Sequence, residues 1–392
     1  MTTKGGNVVN REAWNSRVKG AKSAKPLATK RTVFYVQPLI ARYRFEVISS
    51  LRQRFNVKVF ANMRGVESHG FSSEYPSCDE FVETPITTIP RTRAKFQHGI
   101  ASRILFERPA AVFIFADVTY VSLWLSLALG RLMRVPIVVH GQGLYRYPKP
   151  GFFRSISYRA VVAMSSRYVC YGESSRKSLE RIGCRKKNLD AAHNSLLVET
   201  TINPSEKTGG EPGILFVGRL RDGCNVEILI RAVESLVSEG HKIVLHIIGD
   251  GELRGSMQQA YAGRAHVIWH GAVYDDSEIA NISRACRIGC YPGAAGLSVV
   301  HMFGLSLPPL IHDQLHMHMG PEPEYVSPFE TGFLYARDGG VEALAAVLRS
   351  VWDLPPAVIR KIGKRAFSKY RQLNSPTLGE RLAQIVDNVV NK

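Results

Sequence analysis

No run of about twenty apolar residues free of charge occurs in the chain, so nothing in it reads as a membrane-spanning helix. The nearest stretch, 118–139, is interrupted by Arg131 and Arg134 and reads better as a buried helix followed by a strand. Residues 1–30 are polar and basic and lack the apolar core of a signal peptide. They read as a mobile tail or a loosely attached arm. Cysteine is sparse: Cys78, Cys170, Cys184, Cys224, Cys286 and Cys290 form no C-x-x-C pair and no dense framework. That excludes a disulfide scaffold and fits a reducing cytoplasm. There is no tandem repeat, no low-complexity tract and no G-x-G-x-x-G fingerprint. No recognised nucleic-acid motif occurs either, which sets that partner aside.

What is present is an ordinary globular composition, 45% hydrophobic and 21% charged, over 392 residues. That length exceeds one typical core and implies two domains. The charge is lopsided. Residues 1–200 hold 32 Lys and Arg against 13 Asp and Glu, a net +19, while residues 201–392 hold 19 against 20. The whole basic excess lies in the first half, which points to an anionic partner there.

Short β-branched runs alternate with longer amphipathic ones. Strands are expected at 32–36, 57–60, 111–115, 136–140 and 168–171. Helices are expected near 41–54, 93–107, 119–133, 152–164 and 174–183. This is the rhythm of a parallel sheet covered on both faces. A polar stretch, 199–212, carries Pro204, Gly209, Gly210 and Pro212 and reads as a linker. The rhythm then restarts, with strands at 214–217, 243–248, 267–269, 288–291 and 310–311, and helices near 225–239, 252–262, 276–285 and 297–305. The end, 341–390, reads as helical, broken at Pro355 and Pro356. The expected division is a basic tail over 1–30, a Rossmann-like domain over 31–200, a linker over 201–212 and a second Rossmann-like domain over 213–372. A last helix, 373–392, is expected to pack back toward the first domain.

Doubly wound sheets bind ligands beyond the carboxyl ends of their strands. Polar residues just after strands are therefore the candidates. In ILFVGRLRDGCNVEILI, Gly218 lets the backbone approach a ligand and Arg219 can fork onto a diphosphate. IIGDGELR makes a second strand-to-helix turn. In CYPGAAGLSVVH a Gly-rich turn leads into a helix near Gly296, Leu297 and Ser298, a setting that suits phosphate, with His301 one turn further on. Glu322 and Glu324 lie in the proline-stiffened loop GPEPE and could hold sugar or ribose hydroxyls. In the first half, VVHGQG delivers His140, suited to proton transfer or hydrogen bonding, and Gln142. Arg42 and Arg44 follow the first strand and could meet an anionic acceptor. The spacing of His312, Asp313, His316 and His318 suggests a metal site, but matches no accepted metal motif and reads better as a surface loop.

In order and spacing, LFVGRL, GDGELR, YPGAAGLSVVH and PEPEYV…ETGFLY, with VVHGQG before them, resemble the retaining GT-B glycosyltransferases of family 4. The nearest likeness is to a subset with PGxxGL…H followed by a PE loop. The resemblance implies two Rossmann-like domains facing each other across a cleft, an α/β fold. It implies a nucleoside-diphosphate sugar as donor, no cofactor and no obligatory metal. The donor would lie on the second domain, held by Gly218, Arg219, Arg221, Gly296, Leu297, Ser298, His301, Glu322 and Glu324. A glycan or lipid-linked acceptor would lie on the first, near Arg42, Arg44 and Gln142. His140 would sit by the transferred sugar and act with Arg219 in catalysis. The basic first half would rest on an anionic membrane surface, on the cytoplasmic side. Two departures stand out. The Lys usual five residues beyond Arg219 is Cys224, and the two usual glutamates are Gly293 and His301. Arg221 and the PEPE carboxylates are the candidates to compensate; the alternative is a catalytically degenerate scaffold in a glycan-assembly complex.

Overall fold

The computed structural model describes residues 30–64 and 74–392. The tail expected over 1–30 falls, apart from Lys30, outside them. Two all-parallel sheets organise the chain. The first contains β1 (Thr32–Val36), β2 (Asn56–Ala61), β3 (Glu80–Glu83), β6 (Ala111–Phe115), β7 (Ile137–Gly141), β8 (Arg167–Cys170) and β9 (Leu189–Ala191), in the order β3-β2-β1-β6-β7-β8-β9. A small antiparallel hairpin, β4 (Ile86–Thr88) and β5 (Lys95–Gln97), lies beside it. The second contains β10 (Gly213–Val217), β11 (Val244–Ile248), β12 (Val267–Gly271), β13 (Cys286–Tyr291), β14 (Pro309–His312) and β15 (Phe333–Tyr335), in the order β12-β11-β10-β13-β14-β15.

Strand alternation splits the first domain's core in two. On β1, Val33 and Tyr35 join one layer, and Phe34 and Val36 the other. The first layer is covered by α1 (Phe45–Arg54) and the second by α2 (Ile100–Glu107), α3 (Val121–Met133), α4 (Phe152–Met164) and α5 (Glu173–Arg181). The second domain buries one continuous core under α6 (Val226–Ser238), α7 (Arg254–Ala260), α8 (Asp276–Arg284), α9 (Ser298–Gly304), α10 (Gly340–Asp353) and α11 (Pro356–Leu373). Its central strands β10, β13 and β14 are buried on both faces, as in parallel sheets covered by helices, while the edge strand β12 leaves Ile268 exposed.

The polar stretch between the domains is no free tether. Val198 and Ile202 are buried in the second core. The Lys207 ammonium is buried and donates to the carbonyls of Ser283 and Cys286. The chain then returns. The final helix, α12 (Leu378–Val390), starts with a Thr377–Glu380 capping box and buries Leu378, Leu382 and Val386 against α1. The Glu46 carboxylate on α1 accepts the Gly379 N–H.

Several expectations need correction. The helix expected near 93–107 is strand β5, a turn at Gly99 in the left-handed region, and only then α2. The one expected near 41–54 begins as a short 3-10 turn, Arg42–Arg44. Strands β3, β9 and β15 are absent from the sequence-based expectation.

Candidate functional site

β10, β11 and β12 end together beside the point where strand order reverses, between β10 and β13. A cavity of about 610 Å³ opens there, lined by Val217, Gly218, Arg219, Ile248, Gly249, Asp250, Gly251, Glu252, Ala272, Val273 and Tyr274. The volume is that of a nucleotide-sized ligand site. The two turns that wall it touch backbone to backbone. A Cβ on Gly249 would lie 1.9 Å from the Gly218 carbonyl oxygen, so only glycine fits. Arg219 reaches along the wall, its Nη2 3.8 Å from Glu252 Oε2.

Of the donor residues expected from sequence, Gly218 and Arg219 line this cavity. Arg221 turns away and places Nη2 3.1 Å from Met319 Sδ. His301 is enclosed, with Nε2 3.9 Å from Asp276 Oδ1. Burial pushes its pKa down, with Asp276 acting against the shift. Sequence reading passes over Ala272, Val273 and Tyr274. They follow β12 as Gly218 follows β10, and the same strand-end rule would find them.

The Gly-rich turn is built differently from what its motif suggests. A Cβ on Gly293 would strike Gly223 O at 2.1 Å and Cys224 C at 2.6 Å. The Ala294 N–H donates to Gly223 O at 2.9 Å. So the two positions where the resemblance expects a glutamate and a lysine, Gly293 and Cys224, pack directly on each other. Cys224 is fully buried. The two departures from the resemblance are therefore one contact in this chain.

His318 pins this turn. Its Nδ1 accepts the Ala295 N–H at 3.2 Å and its Nε2 lies 3.0 Å from His312 O. The two imidazoles stack at 3.6 Å. Burial holds His318 down to about 4 and His312 to about 3. Both rings are buried, which corrects the surface-loop reading, and both His318 nitrogens are occupied inside the protein. Among the described residues, no group of three or more His, Cys, Asp or Glu side chains is placed to hold a metal.

From His318 to Tyr325 the chain forms a strap that joins the two domains. Tyr145 OH donates to His318 O at 2.9 Å, and Gln142 Nε2 donates to Met319 O at 3.2 Å. Asn194 Nδ2 donates to Glu322 Oε1, and Tyr325 OH donates to Asn194 O at 3.2 Å. Glu324 does not face the donor cavity, contrary to the expectation from sequence. Its carboxylate accepts the N–H groups of Glu173 at 3.0 Å and Ser174 at 2.8 Å, and the Ser174 hydroxyl. These amides open α5 in the first domain, where a helix start favours an anion.

Under the strap, four polar atoms from both domains are buried without a partner: His140 Nε2, Arg44 Nη1, Asn194 Oδ1 and Glu322 Oε2. The His140 ring packs 4.5 Å from Tyr171, and the Arg44 guanidinium lies 5.7 Å from the same ring. Burial, reinforced by Arg44, pushes His140 well below its ordinary pKa, so it is neutral at pH 7. Burial raises that of Glu322, against the Asn194 hydrogen bond and Arg44. Buried polar atoms left unmade are costly, and a cluster of them marks a place where a ligand's hydroxyls can complete the bonding. Glu322 Oε2 is 3.7 Å from where a Cβ on Gly296 would stand, so it reaches the Gly-rich turn. Arg42 does not join this cluster. It is exposed and pairs with Glu199 at 3.3 Å.

The fold is that of the GT-B glycosyltransferases, two Rossmann-like domains enclosing a cleft. Residues 198–369, essentially the second domain, match the family model described as glycosyl transferases group 1. No curated protein sequence matches the chain. Among solved structures, Anabaena Alr3699/HepE in complex with UDP-glucose is similar with a TM-score of 0.64 at 14% identity, over 91% of this chain and 100% of that one. A glycosyltransferase from Rickettsia africae ESF-5 gives 0.66 at 14% identity, over 93% and 99%. The apo lipopolysaccharide outer core galactosyltransferase WaaB gives 0.56 at 14% identity, over 87% and 98%.

Proposed function

We propose that the protein is a glycosyltransferase that moves a hexose-type sugar from a nucleoside-diphosphate sugar, UDP-linked in the first instance, to a polysaccharide or lipid-linked acceptor, with retention. The observation that carries this reading is the cavity of about 610 Å³ at the ends of β10–β12, walled by Gly218 and Arg219 within the segment that matches a glycosyltransferase family. Base and ribose would occupy it. Arg219 and the turn at Gly296, Leu297 and Ser298 would face the diphosphate, whose charge grows as the sugar departs. The sugar would then meet His140 Nε2 and Glu322 Oε2, with the acceptor approaching past Arg44 and Gln142. Neutral His140 can share a hydrogen bond with the sugar or the acceptor hydroxyl without placing a cation beside the oxocarbenium-like centre. Attack on the face from which the diphosphate leaves needs no protein nucleophile. An acceptor presented at an anionic membrane surface on the cytoplasmic side suits the basic first half.

A second reading has its own observation. Gly293 and Cys224 close on each other at the positions where the resemblance expects a glutamate and a lysine. A chain that had lost turnover and kept the fold as a scaffold in a glycan-assembly complex would show the same packing. Saturation-transfer NMR with UDP-, GDP- and dTDP-sugars, repeated on Arg219→Ala, separates the two. The transferase reading expects one nucleotide class to bind and the variant to lose it. Absence of binding across the panel overturns it.

A further inference from the structure

The β4–β5 hairpin belongs to neither parallel sheet, and it is fastened across the ligand-binding edge of the first one. The buried Gln97 Nε2 donates to Gln37 O, just beyond β1, at 2.9 Å, and to the Thr84 hydroxyl, just beyond β3, at 2.8 Å. The Lys95 N–H donates to Thr119 O, beyond β6, at 2.9 Å. These anchors stand at the carboxyl ends of three strands, the edge from which Arg44 and His140 reach the cluster under the strap. The tip, 89–93, is exposed. Its turn is held in shape: the Thr92 hydroxyl donates to Ile89 O at 2.9 Å and accepts the Ala94 N–H at 3.1 Å. Arg91 takes up the left-handed conformation, φ 60°, which a side chain adopts only at some cost.

The charge at this edge is one-sided. From 85 to 106 the chain has no Asp or Glu. Arg91 and Arg93 are exposed at the tip, and Arg64 is exposed beyond β2. Lys95 lies over the Tyr120 ring at 5.6 Å. None of the four side chains meets a carboxylate among the described residues. Cations set back from the edge behave differently, for Lys58 and Arg103 both pair with Glu80 and Glu107. The carboxylates that do stand at the edge are occupied locally. Glu83 accepts the N–H groups of Met63 at 2.8 Å and Arg64 at 3.3 Å. Asp117 accepts the N–H and hydroxyl of Thr119 at 2.9 and 2.7 Å. Cations left without partners at the rim of a cleft raise the local concentration of an anion that enters it.

We infer that the β4–β5 hairpin is a specificity element for the acceptor, and that the acceptor is an acidic glycan whose carboxylate or phosphate groups bind Arg64, Arg91 and Arg93 as its end reaches His140. This rests on the transferase reading and names the substrate class of the same cleft. A neutral sugar chain would leave these guanidinium groups with water alone. A hairpin that only covered the sheet edge would need no charge at its tip. The forked guanidinium matches paired carboxylate or phosphate oxygens alike, so the shared chemistry is an oxyanion carried on sugar. A nucleic-acid strand would call for aromatic rings on which bases stack, and the tip, IPRTR, has none. The contacts lie away from the transferred sugar, so they set acceptor affinity and not the chemical step.

The test reads binding and turnover separately. Binding of oligogalacturonate, of its neutral methyl ester and of a phosphomannan fragment to the full chain is measured by thermophoresis without donor, at about 0.15 M salt. The wild type is expected to bind at least one acidic probe and not the ester, and the tighter of the two acidic probes tells carboxylate from phosphate. Arg91→Asn/Arg93→Gln, in which asparagine keeps the left-handed turn, is expected to lower that affinity about five-fold or more, with unchanged circular dichroism melting. Arg360→Ala/Lys364→Ala removes two exposed cations from α11 and is expected to bind like the wild type. In turnover, the acceptor is expected in the part of a glycan extract that an anion exchanger retains. There the hairpin variant should show an acceptor KM about five-fold higher or more, with kcat and donor affinity unchanged. The inference is overturned if neither acidic probe binds, if the ester binds as tightly as the acid, if the hairpin variant binds like the wild type, or if the α11 variant loses as much. Acceptor activity in the unretained, neutral fraction also overturns it, as does retained activity destroyed by ribonuclease. Release with a neutral acceptor would leave the transferase reading standing without this one. Hairpin-dependent binding with no release from any fraction would do the reverse.

Discussion

Glu324 accepts the backbone N–H of Ser174 at 2.8 Å, which ties the second domain to the helix start of the first. A Cβ on Gly172 would stand 2.0 Å from the same carboxylate, so a side chain there would push Glu324 off these amides. The contact is a latch between the domains. Charge-assisted bonds of this kind contribute about 1–3 kcal/mol. Glu324→Ala is expected to open the cleft, raising the radius of gyration in small-angle scattering and the KM of the acceptor. Glu324→Asp should restore part of both. An unchanged scattering profile in the alanine variant would remove the latch from the account.

Arg219 is expected to hold the donor diphosphate. Replacing it by alanine should weaken nucleotide binding about 10- to 100-fold, the loss of one or two charge-assisted bonds, and leave the melting temperature nearly unchanged. Titration calorimetry with the free nucleoside diphosphate measures it. Equal affinity in wild type and variant would place the diphosphate elsewhere.

The packing of Gly293 on Gly223 and Cys224 makes restoration of the family's usual residue harmful. Gly293→Glu, and even Gly293→Ala, is expected to cost about 1–3 kcal/mol, because the added Cβ meets backbone that cannot swing aside. Denaturant unfolding checks this. A variant as stable as the wild type, with raised activity, would show that the turn is looser than described.

Stability should fall in acid through the buried histidines. The ordinary pKa of histidine is about 6.5, while His318 is held to about 4 and His312 to about 3 by burial. Below about pH 6.5 the unfolded chain binds protons that the folded chain refuses. Stability is therefore lost as pH falls from about 6.5 toward 4, by up to about 3 kcal/mol for His318 alone. Protonation would also put an N–H against the Ala295 N–H and disturb the Gly-rich turn. Unfolding curves from pH 7 to 4 should be flatter in His318→Gln. An equal slope in both proteins would assign the acid sensitivity to other groups.

The parallel sheets were legible because strands such as β6, AVFIF, and β10, GILFV, are buried on both faces and therefore read as apolar runs. β3 was not, because EFVE is a half-buried edge strand whose glutamates look like loop. β9 and β15, three residues each, are shorter than any periodicity can register. At the site, Gly218 and Arg219 were legible from their place at a strand end. The roles of Glu322 and Glu324 were not. Two residues apart in one loop, they part company because one meets Asn194, 128 residues away, and the other meets Ser174 at the start of α5, 150 residues away. Sequence order carries no such distance. Nor could it show that Cys224 and Gly293, noted as separate departures, are one contact.

The central claim, transfer of a sugar from a nucleotide donor through a cleft that joins Arg219 to His140, is tested most directly by nucleoside diphosphate release. The full chain would be incubated with the nucleotide sugar it binds, with and without a lipid and glycan extract. Release that needs both donor and extract, and that disappears in Arg219→Ala and in His140→Ala while both variants stay folded, is the expected result. Donor binding without release under any acceptor, or release untouched by either substitution, would contradict the account.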